Sequence, residues 1–492
     1  MKYILAIDQG TTGSRATVYD KKGRVRASAY QEFPQYFPRP GYVEHKPQDL
    51  WKSVNDSIQK VLCKVPKKSI AAIGITNQRE TTIIWDKDTG RPVYNAIVWQ
   101  CRRTAARCDE LRQRKGELNF FRKTTGLPID AYFSASKIEW ILRNVPGALS
   151  KARKGKLLFG TPDTWILWRL TGGAVHATDY TNASRTMLFN INSRKWDRRI
   201  LRKFKIPRQI LPAVKKSSGI FGMTVKTGML SRGIPIAGIA GDQQAALFGQ
   251  TCFKPGSMKN TYGTGAFILL NTGKKRLTSK HGLIITLGCG PSGEPVYVLE
   301  GAIFVAGSAI QWLRDGLKIL NAAPESEKMV KPLADNAGVY FVPALVGLGV
   351  PYWDPHARGA IFGITRGTGA NHFVRAALEA MAYQTRDVLE AMKMDSGLKV
   401  KDLKVDGGAS ANNFLCQFQA DILGINVVRP KVIETTSLGA AYLAGLAVNY
   451  WKNAEEIKRY WKKDRVFKPG MSRKHAARLY KGWLNAVRRT LT

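Results

Sequence analysis

Asp242 is the residue whose setting in the sequence points most directly to chemistry. An apolar run over residues 234–240 leads into Gly241-Asp242, and a stretch of small residues with helical character follows. Ligands of α/β sheets bind at the carboxyl ends of strands, where this carboxylate is expected to stand. A carboxylate within hydrogen-bond reach of a hydroxyl can take its proton during phosphoryl transfer. The alternative is that Asp242 only caps the helix after it.

The N-terminal segment contains a turn suited to binding phosphate. Residues 8–15 have the sequence Asp-Gln-Gly-Thr-Thr-Gly-Ser-Arg and stand between two short apolar runs. The glycines allow backbone N–H groups to approach an anion, and the threonine hydroxyls add donors. Asp8 could hold a hydrated Mg²⁺, which prefers carboxylate and water oxygens, and Arg15 could meet phosphate charge. Taken alone, the segment could equally be a plain turn between strands.

Two later turns have a similar composition. Gly263-Thr264-Gly265 offers a second set of backbone amides, so the two Gly-Thr turns could clamp a polyphosphate together. Residues 405–413, Val-Asp-Gly-Gly-Ala-Ser-Ala-Asn-Asn, combine a strand end, two glycines and a capped helix start. Such a turn allows a flat ring to lie against the backbone, with Asn412 as a polar contact. Each turn is ambiguous alone, but the three in this order favour nucleotide binding.

Strands and helices alternate around these turns, which predicts an α/β protein. The pattern predicts strands over residues 3–8, 15–20, 25–33, 71–76 and 81–85, and a helix over residues 49–62. A second hairpin over residues 260–271 restarts the alternation, and a helix over residues 371–392 follows. We therefore predict two α/β halves, residues 1–250 and residues 251–492. A polar, basic, helical tail is expected after about residue 450.

The charge of the chain is unusual. Its 492 residues include 77 Lys and Arg against 36 Asp and Glu, which gives a net charge of +41. Such a charge is typical of nucleic-acid-binding proteins, in which cations neutralise phosphates. Here the basic residues are scattered through every region, without a nucleic-acid-binding motif. We interpret the charge as a solvated basic surface that attracts anionic substrates, and nucleic-acid binding is the weaker alternative.

Cysteine usage and hydropathy favour a cytoplasmic protein. The six cysteines form no CxxC pair and the six histidines form no HExxH motif, which argues against a zinc site or a disulfide framework. The N-terminus, Met1-Lys2 and a short apolar run, is expected to be a buried strand rather than a signal peptide. The most apolar long stretch, residues 296–313, contains Glu300 and several glycines, so a core strand followed by a helix is expected.

Two longer segments resemble the signatures of the FGGY carbohydrate kinases, within the actin-like and hexokinase-like ATPase superfamily. One is residues 132–140, Tyr-Phe-Ser-Ala-Ser-Lys-Ile-Glu-Trp, and the other is residues 359–367, Gly-Ala-Ile-Phe-Gly-Ile-Thr-Arg-Gly, running on to Glu379. The resemblance spans nearly the whole chain. It implies two ribonuclease-H-like α/β domains with a central cleft between them. Residues 1–250 would bind a polyol and carry the first phosphate hairpin, and residues 251–492 would bind the nucleotide and end in the basic tail.

Residues 77–82, 99–103 and 179–186 are similar to those members of the family that phosphorylate glycerol. The residues that the resemblance implies for polyol binding are Arg79, Glu80, Trp99, Tyr132, Asp242, Gln243 and Phe267. Trp99 and Phe267 would pack on the carbon chain, and the others would meet hydroxyl groups. An Arg/Glu pair supplies both donors and acceptors, which are left unpaired when a hydroxyl is missing. The alternative for Arg79-Glu80 is a structural ion pair at a strand end.

The resemblance also implies ATP and Mg²⁺ as partners of the reaction. The matching nucleotide positions are Thr11, Thr12, Gly13 and Arg15 in the first half and Thr264, Gly307, Gln311, Gly408 and Asn412 in the second. Asp8, with Asp242 nearby, matches the magnesium environment. Gly13 stands where many relatives have serine, which removes a hydroxyl but keeps the backbone amide. Residues 225–233 and 470–481 lack the patterns that bind fructose 1,6-bisphosphate and a sugar-transport regulator in some relatives.

The function expected from the sequence is ATP-dependent phosphorylation of glycerol to sn-glycerol 3-phosphate, with Asp242 as the general base. A homo-oligomer, dimer or tetramer, without membrane insertion or nucleic acid, is the expected form. One alternative is a kinase of another polyol or of a ketose within the same family. An alternative of another class is an actin-like ATPase that acts as a binding or assembly module.

Overall fold

The computed structural model describes residues 2–492, and Met1, part of the expected N-terminal strand segment, lies outside the described residues. The strands are β1 Tyr3–Gln9, β2 Gly13–Tyr19, β3 Val25–Glu32, β4 Glu44–His45, β5 Ile70–Asn77, β6 Ile83–Asp86, β7 Ala96–Ile97, β8 Leu157–Gly160, β9 Ala177–Asp179, β10 Phe189–Asn190, β11 Lys195–Trp196, β12 Ala213–Lys215, β13 Ser218–Met223, β14 Pro235–Gly241, β15 Met258–Tyr262, β16 Ala266–Gly273, β17 Ile284–Cys289, β18 Pro295–Ile303, β19 Tyr340–Val342, β20 Ala360–Phe362, β21 Asp402–Gly407, β22 Asn426–Pro430 and β23 Lys463–Phe467.

The helices are α1 Pro47–Leu62, α2 Ala105–Gln113, α3 Glu117–Thr125, α4 Ser134–Asn144, α5 Ala148–Arg153, α6 Pro162–Leu170, α7 Tyr180–Ala183, α8 Arg198–Lys203, α9 Asp242–Gly249, α10 Gly307–Asp315, α11 Glu325–Val330, α12 Ala370–Ser396, α13 Asn413–Leu423, α14 Thr435–Ala447, α15 Ala454–Tyr460 and α16 Arg473–Thr490. Short 3₁₀ turns occur at Lys67–Ser69, Arg208–Ile210 and Gly408–Ala411.

The chain forms two compact units, and it contributes to each of them more than once. The first unit contains the chain up to Phe253 together with Ile285–Tyr297 and Thr435–Tyr460. The second contains Lys254–Ile284, Val298–Glu434 and Trp461–Thr492. The α/β class is confirmed, whereas the functional division at residue 250 stays a prediction.

A six-stranded sheet forms the centre of the first unit, in the order β13-β14-β5-β1-β2-β3. Strands β14, β5 and β1 are parallel, and β1, β2 and β3 form an antiparallel meander. The middle of β1, from Ile4 to Ile7, is fully buried. Such a continuous apolar run is typical of a strand that is covered on both faces. One hydrophobic core joins residues of this sheet to residues of α1 and α6.

Helix α14 packs closely on this sheet and on α9, although it comes from late in the chain. A Cβ atom added at Gly74 on β5 would collide with the backbone carbonyl of Ala440 on α14. One added at Gly439 would collide with the carbonyl of Ala245 on α9. Glycine at these places lets the backbones approach more closely than any other residue permits. The packing therefore fixes α9, the helix that begins at Asp242.

The second unit repeats the strand order of the first. Its strands follow the order β18-β16-β15-β21-β22-β23, with β18 included from Val298 onward, so β18-β16-β15-β21-β22 corresponds to β3-β2-β1-β5-β14. Strands β15 and β16 form an antiparallel hairpin, and β15, β21 and β22 are parallel. Helices α12, α13 and α16 share a core around Tyr383, Phe418 and Trp483. The duplicated architecture expected from the two Gly-Thr turns is present.

Most elements lie where the sequence places them, and the tail differs. The first hairpin, α1 and the second hairpin occur as expected, and residues 296–313 form all of β18 except its first residue, followed by most of α10. After residue 450 the chain forms α15, a strand, β23, and the long helix α16, rather than helix alone. All six cysteines are free thiols. None of the helices in residues 2–492 combines the length and apolar character that a membrane span requires.

Candidate active site

The first Gly-Thr turn connects β1 to β2 and is held by its own backbone. The N–H of Gly10 donates to the carbonyl of Gly13 over 2.9 Å, which closes the turn. The amide of Gln35 donates to the carbonyl of Thr11 over 2.9 Å and anchors the tip. Arg15 lies opposite Asp8 in the β1–β2 register. Its guanidinium lies over the ring of Tyr30, 5.4 Å from the centroid.

Gly13 is packed against Tyr30, which explains the absence of a side chain there. A Cβ atom on Gly13 would collide with the end of the Tyr30 ring, from β3. The hydroxyl of Tyr30 also lies 3.3 Å from that of Thr12. The Tyr30 hydroxyl therefore lies directly beside the turn at Gly13.

Trp99 links this turn to the aromatic residues expected to bind a carbon chain. Its indole N–H donates to the Thr11 hydroxyl over 3.0 Å. Its ring packs edge-on against that of Tyr132, with 5.6 Å between the centroids. Edge-to-face pairs at this spacing are stabilising. The structure thus brings together two predicted polyol-binding residues and one predicted nucleotide-binding residue.

Asp242 is the first residue of α9, and Gly241 occupies the N-cap position. The capping alternative is therefore wrong for Asp242, because its carboxylate does not occupy the cap. That carboxylate accepts the N–H of Gln243 over 2.7 Å and lies 3.1 Å from Nε of Arg79. The side chain of Asp242 is 29% exposed, whereas that of Arg79 is 2% exposed. A buried cation thus holds a carboxylate that a ligand can still reach.

The central strands bring the key residues to one edge of the sheet. In the register, Asp8 and Ala240 both lie level with Thr76 of β5. Asp8 and Asp242 therefore stand near the carboxyl ends of β1 and β14, the two strands that flank β5 and run parallel to it, where ligands of such sheets bind. Arg79 follows β5 at the same edge. This is the arrangement that the sequence pattern predicts.

Glu80 is buried and is held by a second arginine. Its Oε1 lies 2.5 Å from Nε of Arg185, and both side chains are buried. The same oxygen is 3.9 Å from Nε of Arg79. Glu80 has a φ of 62°, a left-handed conformation that non-glycine residues rarely adopt. Unusual backbone of this kind persists where the surroundings fix it, often at functional sites.

Tyr132 precedes α4, and Lys137 of that helix holds its backbone. The ammonium of Lys137 donates to the carbonyls of Ala131, Tyr132 and Phe133 over 2.6, 2.6 and 3.1 Å. Lys137 is fully buried, which lowers its pKa to about 8. The hydroxyl of Ser134 donates to the carbonyl of Glu80 over 2.9 Å. The first signature segment therefore supports the Arg79-Glu80 segment directly.

A buried polar network holds the backbone next to Asp242. The hydroxyl of Thr181 accepts the N–H of Gly241 over 2.8 Å and donates to Asp179. Asn182 and Asn77 exchange two amide hydrogen bonds of 3.1 and 3.0 Å. Burial raises the pKa of Asp179. Hydrogen bonds from residues 179–186 thus fix the ends of β5 and β14.

In the second unit, the second Gly-Thr turn is joined to the start of α10. The N–H groups of Ala306 and Ser308 donate to the carbonyl of Thr264, and that of Gly307 donates to the carbonyl of Gly263. Gly307 is the first residue of α10. The structure therefore brings Thr264 and Gly307 together. The side chain of Gln311, one turn along α10, is exposed.

The third turn lies at the same sheet edge as the second, because Gly407 is level with Tyr262 in the β15–β21 register. Gly407 has a φ of 82°, and a Cβ atom there would collide with the carbonyl of Tyr262. Asn412 caps α13 by accepting the N–H of Leu415 over 2.9 Å. Gly408 has open space around its Cα. The backbone at this turn is therefore free of side chains on one side, as a flat ring requires.

Two predicted polyol residues complete the placement. Gln243 is buried in the first turn of α9, next to Asp242. Phe267 lies on β16 of the second unit and is partly exposed. The predicted roles of all these residues remain proposals.

The donor set fits a hydrated Mg²⁺. Asp8 and Asp242 supply carboxylate oxygens at one sheet edge, and Mg²⁺ is commonly bound by one or two carboxylates, water and substrate phosphates. Throughout residues 2–492, no three His, Cys, Asp or Glu side chains gather into a metal cage. Asp8 and Asp242 therefore suit a Mg²⁺ ion that keeps several of its water ligands.

Sequence reasoning did not single out several residues that shape the site. They are Gln244, Arg185, Lys137, Thr181, Asn182 and Asn77, and all of them are buried. Gln244 accepts a hydrogen bond from Nη1 of Arg79 over 3.2 Å. Arg185, Thr181 and Asn182 lie in residues 179–186, a segment that resembles the family as a whole but predicts no role for any one of these three residues. Lysine is rarely fully buried. The lysine at position 137, inside the signature segment of residues 132–140, was the one sequence feature that could have indicated a structural role for it.

The chain matches the family of FGGY carbohydrate kinases in two parts. The N-terminal domain model of that family matches residues 3–249, and the C-terminal domain model matches residues 258–448. The chain therefore belongs to the FGGY family of carbohydrate kinases.

Among the proteins similar to this chain over its whole length are several glycerol kinases. Glycerol kinase 2 of Thermotoga maritima is 60% identical over 100% of this chain and 99% of its own length. The glycerol kinase of Caldanaerobacter subterraneus subsp. tengcongensis is 58% identical over the same shares. The crystal structure of Plasmodium falciparum glycerol kinase with ADP has a TM-score of 0.91 and 38% identity, and covers 100% of this chain and 99% of that one.

Proposed function

We propose that this protein transfers the γ-phosphoryl group of ATP to glycerol, giving sn-glycerol 3-phosphate and ADP. The observation that carries the proposal is the contact between Arg79 and Asp242 at 3.1 Å, at the carboxyl edge of a parallel sheet. It occurs in a chain that is 60% identical to a glycerol kinase over its full length. The residue expected to bind the substrate and the residue expected to activate it thus touch each other.

Asp242 is the general base in this proposal. It accepts the proton of a terminal hydroxyl as that oxygen attacks the γ-phosphorus in line. Nε of Arg79 and the N–H of Gln243 both lie against Oδ1 of Asp242 and so orient the carboxylate together. Fixed partners of this kind reduce the reorganisation that the reaction requires.

The polyol is bound by groups that both donate and accept hydrogen bonds. Arg79, Glu80, Tyr132, Gln243 and Asp242 are the proposed polar contacts. Trp99 and Phe267 are proposed to pack on the carbon chain. A site built in this way rejects analogues that lack a hydroxyl, because its buried polar groups would be left unpaired.

The nucleotide is bound by the glycine-rich turns. Thr11, Thr12, Gly13 and Arg15 are proposed to contact phosphates, and Thr264, Gly307, Gln311, Gly408 and Asn412 to contact the rest of the nucleotide. Backbone N–H groups at such turns form an anion-binding concavity. Asp8 and Asp242 would hold Mg²⁺, which supplies positive charge against the transferring phosphoryl group when it is bound.

We also propose a cytoplasmic homo-oligomer, dimer or tetramer. The free thiols of the six cysteines support the reducing compartment. Light scattering on the purified chain measures its oligomeric state, and a monomer would contradict that part.

Initial rates with ATP on a panel of polyols and ketoses test the substrate. The panel contains glycerol, erythritol, ribitol, xylulose and ribulose, and each is measured at several concentrations. We expect the highest kcat/KM for glycerol. A higher kcat/KM for a pentulose or tetritol would assign the chain to another substrate of the same family. ADP production that is independent of every panel member would favour an ATPase module.

A further inference from the structure

Arg185 is a fully buried cation in the segment of residues 179–186. Its Nε lies 2.5 Å from Oε1 of Glu80. We infer that Arg185 is a positioning residue, which fixes the Glu80 carboxylate for the polyol without contacting the substrate itself. This inference rests on the proposed function, because it assigns Glu80 to polyol binding.

The two arginines near Glu80 have different partners. Nε of Arg79 lies 3.1 Å from Asp242 but 3.9 Å from Glu80, beyond hydrogen-bond distance. Nε of Arg185 makes the close contact with Glu80. Arg79 is therefore the close cationic partner of Asp242, the proposed base, and Arg185 is the close cationic partner of Glu80. Carboxylate and guanidinium groups thus alternate in the order Asp242, Arg79, Glu80, Arg185, and the 3.9 Å separation of Arg79 from Glu80 is the longest of the three.

The backbone and the side chain of Glu80 are held separately. Its carbonyl accepts hydrogen bonds from Ser134 over 2.9 Å and from Thr82 over 3.2 Å. These bonds fix a backbone whose φ of 62° is uncommon for glutamate. They do not fix the direction of the carboxylate, which a flexible side chain separates from the backbone. The contact with Arg185 supplies that direction.

Arg185 is itself held by aromatic rings. Its Cζ lies 5.3 Å from the ring centroid of Tyr132 and 5.2 Å from that of Phe133. A guanidinium over such rings is attracted by their electron-rich faces. Lys137 in turn holds the backbone carbonyls of Tyr132 and Phe133. Lys137 therefore holds the backbone of Tyr132 and Phe133, the rings of these two residues contact Arg185, and Arg185 contacts Glu80.

Arg185→Met removes the cation and keeps an apolar side chain over the rings. Glu80 then loses the partner at 2.5 Å, while Arg79 remains at 3.9 Å, and removing one member of a buried charge pair is strongly unfavourable. We expect the KM for glycerol to rise at least about tenfold, which corresponds to about 1.4 kcal/mol of lost binding. The KM for ATP should change less than about twofold, because Arg185 acts through Glu80.

A double-mutant cycle with Glu80→Gln separates this role from a general structural one. In the Glu80→Gln background, Arg185→Met should change the KM for glycerol less than about threefold, since its partner carboxylate is absent. A loss of about tenfold in both backgrounds would overturn the inference. So would an unchanged KM for glycerol in the single variant.

The double variant of the cycle and one control variant protect the test from a folding failure. The double variant lacks both buried charges, so it should fold even if Arg185→Met does not. Its comparison with Glu80→Gln alone then decides between the two outcomes. Arg107→Met is the control, because Arg107 forms its ion pairs with Glu139 of α4 and with Glu110, each over 2.9 Å, rather than with Glu80. Arg107→Met should leave the KM for glycerol within about twofold, and a tenfold rise there would show general loosening of α4 and overturn the inference.

Wild-type turnover is measured first, so that a failure of the proposed function can be distinguished from a failure of the role inferred for Arg185. If wild type phosphorylates another panel member better than glycerol, the choice of glycerol is contradicted and the cycle is run on that substrate. If wild type is active and the cycle is additive, only the role of Arg185 is contradicted. If wild type phosphorylates no panel member, both are contradicted.

Discussion

The Nε atom of Arg79 lies 3.1 Å from Oδ1 of Asp242, so the residue expected to bind the polyol also orients the residue expected to take its proton. Arg79 follows β5 and Asp242 begins α9, after β14. Since β5 and β14 are adjacent and parallel, the fold itself places the two side chains side by side. Substrate binding and activation are therefore linked in one contact.

Asp242→Asn should abolish most turnover without weakening ATP binding. Asparagine keeps the shape but cannot accept a proton at neutral pH, and general bases contribute about 10²–10⁴-fold to rate. We expect kcat to fall by that factor in a coupled ADP assay, with the Kd for ATP unchanged by calorimetry without Mg²⁺, which Asp242 is also proposed to hold. The control is Asp197→Asn, at the N-cap of α8, where asparagine caps as well as aspartate. Retention of more than about a tenth of the wild-type kcat would remove Asp242 from its role.

Arg79→Met should weaken glycerol binding and also slow turnover. The variant removes a buried cation that contacts both Asp242 and Gln244. Truncating one member of a buried charge pair costs about 2–5 kcal/mol, so the KM for glycerol should rise at least about tenfold. Steady-state kinetics at saturating ATP measure both constants. An unchanged KM for glycerol would count against the proposed polyol site.

Gly241→Ala should impair activity through Arg79. A Cβ atom at this position would lie 2.8 Å from Cγ and Cδ of Arg79, although the backbone φ of −59° suits alanine. The side chain of Arg79 must therefore shift, which disturbs its 3.1 Å contact with Asp242. We expect kcat/KM for glycerol to fall about tenfold or more, since small misplacements of catalytic groups are costly. Wild-type kcat/KM in a folded Gly241→Ala variant would show that this contact is not needed.

Gly407→Ala should weaken ATP binding specifically. Gly407 has a φ of 82° and lies against the carbonyl of Tyr262, so a side chain would distort the turn before Asn412. We expect the KM for ATP to rise several-fold while the KM for glycerol stays constant. Gly424→Ala is the matched control, because Gly424 has a φ of 66° but open space around it. Equal effects of both variants on the KM for ATP would attribute the change to backbone strain alone.

Asp163 should make stability depend on pH. Burial raises the pKa of this carboxyl to about 7, with the Asp179 carboxylate adding to the rise. A raised folded-state pKa contributes stability that is complete below the unfolded value near 3.8 and is lost as the pH rises through about 7. The slope from one such group is at most about 1.4 kcal/mol per pH unit.

Asp163→Asn tests this dependence, because asparagine cannot titrate and can still bond to the hydroxyls of Thr161 and Thr178. Thermal midpoints of both proteins are measured at pH 5 and pH 8. Relative to wild type, the variant should be more stable at pH 8 than at pH 5. A constant difference between the two proteins would contradict the assignment.

The sequence was sufficient to predict the hairpins and the strand end that leads into Asp242. Glycine-rich turns between apolar runs are local signals, and they placed β1–β2 and β15–β16 correctly. The helix over residues 371–392 was also expected, and α12 extends it at both ends. In the first unit, Arg79 lies beside Asp242 and Trp99 lies beside Tyr132, as expected from the sequence. Their roles in polyol binding remain proposals.

Contacts between distant segments were beyond sequence reasoning. Helix α14 packs in the first unit although it follows residue 430, because its small residues fit the glycines of β5 and α9. Arg185 was overlooked because its partner, Glu80, is 105 positions away in the chain. Lys137 was overlooked because its bonds go to backbone carbonyls, which any sequence supplies. β23 was missed because its residues are mostly charged and exposed.

The stoichiometry of product to ADP tests the central claim most directly. Purified protein is incubated with ATP, Mg²⁺ and glycerol, ADP is measured, and sn-glycerol 3-phosphate is quantified with a stereospecific dehydrogenase. We predict one sn-glycerol 3-phosphate for each ADP, and loss of both products in Asp242→Asn. ADP formed without sn-glycerol 3-phosphate, or at the same rate without glycerol, would contradict the account.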